Sequence, residues 1–267
     1  MCFPRVASVV LLAASLGSPP SGVAAEVPGP GQLVRRVADG HPIQYWVSLP
    51  KQWSASRDWP VVVVLEAAEK EYEVNARRFA DARGDRPFII VAPYIVSNGN
   101  QGLRDPRIFP YSAETWDLID RLSPCAFDLA GIDAVIATVR RDFQGKSRVY
   151  LTGFEAGAHA LWAYTFRHPE KLAGVVPVAG NYRGRCVDEA SMSTDPARDR
   201  LPIHALTGSL DPAFGAGGPL HGQFVEAANL ARQHGFNAIS EGVIPGKDHV
   251  PLPVEVLAYF ATLEQAK

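Results

Sequence analysis

Read along the chain, the hydrophobic positions alternate between short continuous runs and longer stretches of helical period. Val61 to Leu65 is an uninterrupted apolar run of the kind that forms a central strand buried on both faces, and Phe88 to Ala92, stopped by Pro93, reads as the next buried strand. Ile43 to Leu49, ended by Pro50, Arg148 to Thr152, Leu172 to Val178, Ile203 to Thr207 and Ala238 to Ile244 read as further strands. Between them, Ala76 to Arg83, Leu129 to Phe143, Ala156 to Arg167, Phe224 to His234 and Pro253 to Glu264 read as helices. In the second of these, Ile132, Val135, Ile136 and Val139 keep the spacing of one helical face. Strands alternating with helices predict an α/β fold, with a mostly parallel sheet covered on both sides. Ser97 to Pro110, rich in Asn, Gly, Asp and Pro, predicts a long loop.

The N-terminus departs from this pattern. Arg5 precedes a short apolar run, Val6 to Leu16, which is broken by Pro19, Pro20 and Gly22. Val23-Ala24-Ala25 then places small residues where signal peptidase cuts, so residues 1–25 are expected to be a signal peptide cleaved before Glu26. Residues 26–32 read as a tether, and residues 33–267 as a single domain. A secreted or periplasmic location follows. No membrane association is expected after cleavage, since no other run is long and apolar enough to span a bilayer. The formal charge is −2, and removing Arg5 makes it −3. That balance excludes the basic footprint of a nucleic-acid binder. Cys2 leaves with the signal, and the remaining Cys125 and Cys186 can form one disulfide in an oxidising compartment or stay as two thiols.

The candidate chemistry centres on Val149-Tyr150-Leu151-Thr152-Gly153-Phe154-Glu155-Ala156-Gly157-Ala158. A strand runs through Gly-x-x-x-Gly directly into an apolar helix. This is the setting of a nucleophile elbow, with Gly153 and Gly157 allowing close backbone approach at a sharp turn. The central residue is Glu155. Asp211 follows a later strand, and His249 precedes the last helix, so Glu155, Asp211 and His249 keep the order nucleophile, acid, histidine. Asp248 is the nearer acid to His249, but Asp211 has the better topological position.

At these residues the chain resembles the α/β-hydrolase superfamily, and within it the secreted esterases related to feruloyl esterases and polyhydroxybutyrate depolymerases. The resemblance runs from about Tyr45 to Phe260. It includes Leu49-Pro50, His168-Pro169-Glu170 and Pro177-Val178-Ala179-Gly180. It implies an α/β-hydrolase fold and a pocket for a small-molecule, carbohydrate or ester ligand, with no cofactor. The chain departs from the group twice. Glu155 stands where the group has serine, and Glu66-Ala67-Ala68-Glu69 replaces the His-Gly-Gly stretch that shapes the oxyanion hole. Backbone N–H groups of Ala67 or Ala68, with Ala156, remain potential donors, while Glu66 brings negative charge close to them.

Three readings are open at this level. The protein is a non-catalytic relative in which Glu155 accepts elbow N–H groups and pairs with protonated His249. Or Glu155 is a carboxylate nucleophile, with His249 and Asp211 activating water. Or Glu66, Glu155, Asp211 and His249 converge on a divalent metal. Elsewhere, Ser209 reads as a turn hydroxyl, His159 and His204 as packing residues, and Trp46, Trp53 and Trp59 as core rather than a sugar platform. Tyr94, at a strand end, is a candidate pocket residue.

Overall fold

A computed structural model describes residues 27–99, 104–215 and 217–266. The expected signal peptide lies outside the described residues. Eight strands form one sheet: β1 (Leu33–Val37), β2 (Gln44–Ser48), β3 (Val61–Leu65), β4 (Ile89–Pro93), β5 (Val149–Phe154), β6 (Leu172–Val178), β7 (Ile203–Gly208) and β8 (Ile239–Ile244). Their spatial order is β1-β2-β4-β3-β5-β6-β7-β8. β1 and β2 pair antiparallel, β2 and β4 likewise, and every other pairing is parallel.

The helices are α1 (Tyr72–Ala82), α2 (Ala113–Leu122), α3 (Pro124–Phe143), α4 (Gly157–Arg167), α5 (Ala197–Arg200), α6 (His221–Gln233) and α7 (Pro253–Gln265). Strand alternation divides the core between the two faces. Val61, Val63 and Leu65 of β3 pack with Ile132, Val135, Leu161, Trp162 and Ala227, under α3, α4 and α6. Val62 and Val64 pack with Phe79, Tyr150, Val256, Leu257 and Phe260, under α1 and α7. Burial on both faces explains why β3 reads as an unbroken apolar run.

Several elements differ from the sequence expectation. β1 was not foreseen, because Arg35 and Arg36 sit in an edge strand that is only half-buried. Helix α2 is also new: Ser112 caps it by accepting the Thr115 N–H, and only Ile119 is buried. Helix α1 begins at Tyr72, α3 at Pro124 after the Ser123 cap, and α6 at His221, all ahead of their expected starts. Of the expected tether, Gly31 is docked, its N–H donating to the Leu49 carbonyl. No single helix among the described residues is long and apolar enough to cross a membrane.

Cys125 and Cys186 are disulfide-bonded, joining the start of α3 to the loop after β6. Trp59 is fully buried and its indole N–H donates to the Ser54 carbonyl, while Trp53 donates to the Phe143 carbonyl and Trp46 to the Tyr94 hydroxyl. These contacts make the three tryptophans packing residues. His204 is satisfied, with its Nδ1 2.8 Å from Ser240 Oγ and its ring stacked on Tyr259. It is half-buried beside the edge strand β8, however, and not in the core as expected.

Candidate active site

The elbow forms at the carboxyl end of β5, where the chain turns into α4 through Glu155 and Ala156. Glu155 has φ 46°, a left-handed conformation that costs an L-residue about 1 kcal/mol. The backbone holds it there. The Glu155 N–H donates to the Val178 carbonyl, and the Glu155 carbonyl accepts from the Ala158 and Asn181 N–H groups. Gly157 is required by close approach: a Cβ there would lie 2.5 Å from the Leu65 carbonyl oxygen and 2.7 Å from that of Glu66. Gly153 meets Gly157 backbone atoms at 3.0 Å in the same way.

The Glu155 side chain turns toward the loop after β3. Its Oε2 accepts the Ala68 N–H at 3.1 Å. Of the two foreseen donors on this loop, Ala68 is therefore the one engaged, and its partner is the protein's own carboxylate. A chain of buried polar contacts fixes this donor. Asp128, fully buried on α3, accepts the Val96 N–H at 2.9 Å and the Ser97 N–H at 2.7 Å. The next residue, Asn98, donates from its side-chain amide to the carbonyls of Glu66 and Ala67 at 3.0 and 2.8 Å. Gly99, at φ 79°, lies against the Cβ atoms of Ala68 and Ala156. Asp128, Asn98 and Gly99 escaped the sequence reading because these contacts span about 30 residues or more and follow no motif.

Asp211 and His249 meet as expected. His249 Nδ1 is 2.8 Å from Asp211 Oδ2, and Asp211 Oδ1 accepts the N–H groups of Ala213 and Phe214 at 2.9 and 3.0 Å. Burial pushes the Asp211 carboxyl up. The Phe214 N–H, His249 and the Ala213 N–H outweigh that and hold it below the usual carboxylate range. The two loops are stitched together, with the Leu210 N–H donating to the Lys247 carbonyl and the Gly246 N–H to Ser209 Oγ. Ser209 is thus the turn hydroxyl it was read as. Asp248 accepts the backbone N–H of His249 and leaves the ring to Asp211.

The expected Glu155–His249 ion pair is absent. Among the described residues, Asp211 is the ion-pair partner of His249. Phe154 packs its ring against His249 at 4.8 Å between centroids, and Phe214 stacks on the imidazole at 5.4 Å. The Glu155 carboxylate lies close enough to Lys70 and His159 to act on both of them. His159 itself is buried, and burial, reinforced by Arg185, lowers its pKa to about 4. It is a neutral packing residue.

His249 opens into a cleft of about 490 Å³, lined also by Phe154, Glu66, Glu69, Glu71, Asn75, Arg78, Val250, Pro251 and Pro253. Glu155 is not among the residues lining it. Glu66 is only 4% exposed, and burial pushes its carboxyl up to about 7, with Glu69 and Glu71 adding to the effect. Glu66 thus lines the cleft, while the Ala68 N–H is taken by Glu155. Among the described residues no three His, Cys, Asp or Glu side chains are grouped to hold a metal ion. Tyr94 lines a different, smaller depression, with Trp46 and Lys70.

No protein-family model matches the chain, and no curated protein matches it in sequence. Solved structures match it in shape. Poly(3-hydroxybutyrate) depolymerase from Bordetella parapertussis is 19% identical with TM-score 0.59, covering 88% of this chain and 90% of that one. Poly(aspartic acid) hydrolase-1 from Sphingomonas sp. KT-1 is 12% identical with TM-score 0.60, covering 88% and 98%. Est1E from Butyrivibrio proteoclasticus is 12% identical with TM-score 0.54, covering 88% and 99%. At these identities the likeness speaks to the fold. The eight-stranded, mostly parallel sheet, its helices on both faces and these structural matches give the chain the α/β-hydrolase fold.

Proposed function

We propose that this is an exported α/β-hydrolase-fold protein that binds a small ligand at the His249 cleft and does not hydrolyse esters. The observation that carries this reading is the 3.1 Å contact from the Ala68 N–H to Glu155 Oε2. An ester hydrolase of this fold needs a hydroxyl at the elbow and empty backbone donors for the oxyanion that forms after attack. Here the elbow residue has no hydroxyl, and its carboxylate already uses the donor. An oxyanion developing beside that carboxylate would be repelled by it in a poorly solvated site. Export is supported by the N-terminal pattern of residues 1–25 and by the Cys125–Cys186 bond, which persists in oxidising compartments.

The test is an assay of the purified mature chain with p-nitrophenyl acetate, beside Glu155→Ser and His249→Ala. The expected result is no turnover by the natural protein that His249→Ala abolishes. Robust hydrolysis lost in His249→Ala would overturn the reading. A gain of activity in Glu155→Ser would show that Asp211, His249 and the backbone donors are otherwise competent.

One observation favours a second reading, the intact 2.8 Å contact between Asp211 and His249. In it, Glu155 attacks an alkyl carbon, halide or an epoxide oxygen leaves, and water activated by His249 hydrolyses the resulting ester. A mass adduct on Glu155 after incubation with haloalkanes or epoxides would establish it. No adduct on Glu155 together with no turnover of the haloalkane or epoxide would eliminate it.

A further inference from the structure

We infer that the cleft beside His249 is a binding site for a small organic cation, an amine with an apolar body, whose N–H donors meet the Glu66 carboxylate and the side-chain carbonyl of Asn75. The inference rests on the reading of this edge of the sheet as a binding face and names the class of ligand it takes.

The Ala67 N–H and the Asn75 side-chain amide donate to the Glu66 carboxyl, yet two buried acceptor atoms beside the cleft keep no partner. Glu66 and Asn75 both line it, and they are 4% and 2% exposed. Glu66 Oε2 and Asn75 Oδ1 are each buried with no hydrogen-bond partner. Buried polar atoms are nearly always paired, and leaving one unpaired costs about 1–3 kcal/mol. Two such acceptors lining one cleft call for a ligand that brings N–H groups. An ammonium group carries three donors and no acceptor.

Charge points the same way. The charges that bear on Glu66 come from Glu69 and Glu71, both acids. Of the basic side chains lining the cleft, Arg78 is directed to Glu71 at 3.7 Å and His249 to Asp211. An anionic ligand would meet the buried Glu66 carboxyl without a facing cation. A metal ion does not fit, since among the described residues no three ligating side chains are grouped. The rest of the lining includes the apolar Phe154, Val250, Pro251 and Pro253, which suit the body of the ligand. The volume of about 490 Å³ lies within the usual range of small-molecule sites, roughly 300–1,000 Å³.

The test is isothermal titration of the mature chain with benzylamine, benzyl alcohol and benzoate, which share a ring and differ in charge. Benzylamine is expected to bind at least about tenfold more tightly than benzyl alcohol, the equivalent of one net ion pair. Benzoate is expected not to bind. Glu66→Gln should remove the preference for the amine over the alcohol. Amine binding should also weaken as pH falls below 7, because a proton on Glu66 competes with the ammonium. Glu69, Glu71, Arg78 and His249 are the other titratable groups lining the cleft. Equal binding of amine and alcohol, a preference for benzoate, or displacement of benzylamine by Mn²⁺ would each overturn the assignment. If Glu66→Gln fails to fold, the ranking of the three probes on the natural protein and its pH dependence decide the matter. Absence of amine binding defeats this inference alone, whereas His249-dependent ester hydrolysis defeats the non-hydrolytic reading and leaves amine binding standing.

Discussion

Glu66 should make the protein less stable as pH rises toward neutrality, and Glu66→Gln should remove that loss. The carboxyl is 4% exposed, and burial raises it from 4.5 to about 7. Between those two values the folded chain keeps a proton that the unfolded chain releases. Stability therefore falls as pH rises from about 4.5 to 7 and levels off above it. Raising the carboxyl from 4.5 to about 7 corresponds to on the order of 3 kcal/mol. Gln has similar shape and no titration, so the variant should gain on the natural protein by that amount across the window. Asp128 is buried and also raised to about 7, but it is present in both proteins and cancels in the difference. Urea unfolding of both proteins at intervals from about pH 4 to 8 measures the gap. A gap that stays constant with pH, or one that narrows as pH rises, would refute the reasoning.

Two further predictions concern the scaffold of the site. Gly157→Ala would place a Cβ 2.5 Å from the Leu65 carbonyl oxygen, and since backbone must move it should destabilise by at least about 2 kcal/mol; an unchanged melting temperature would count against this packing. Replacing both Cys125 and Cys186 by Ser opens a loop of 61 residues, and the chain-entropy argument gives a loss of roughly 4 kcal/mol at most. Urea unfolding of the oxidised natural protein and the double variant measures it, and equal midpoints would refute it.

What the sequence made legible follows from burial. β6 was readable to the residue, because Leu172–Val178 is buried along its whole length and leaves no polar interruption. β1 was not, because an edge strand needs apolar residues on one face only, and Arg35 and Arg36 hid the pattern. The candidate site divides in the same way. Glu155, Asp211 and His249 were readable because each falls at a strand end, where the βα spacing constrains position. The direction of the Glu155 side chain was not readable. It depends on the loop carrying Ala68, which is held by Asn98 and indirectly by Asp128 from a distant helix. Glu66 was foreseen as a charge at the oxyanion position. Two residues of separation along that loop, between Glu66 and the engaged donor Ala68, place it at the cleft instead.

The separation of Glu155 from His249 bears on how such a site changes chemistry. A serine hydroxyl at the elbow ends one atom beyond Cβ, and its role is to share a proton with the histidine. A glutamate carboxylate ends two carbons beyond Cβ and reaches the Ala68 N–H. It thereby gains a hydrogen bond to a charged acceptor, which contributes about 1.5–3 kcal/mol. That gain offsets the cost of about 1 kcal/mol for the left-handed backbone at this position. His249 keeps its acid partner and is covered on two sides by Phe154 and Phe214. The elbow and the histidine are thus each stable without the other. On the reading proposed above, the cleft that His249 lines would then serve recognition without being tied to the geometry of acyl transfer.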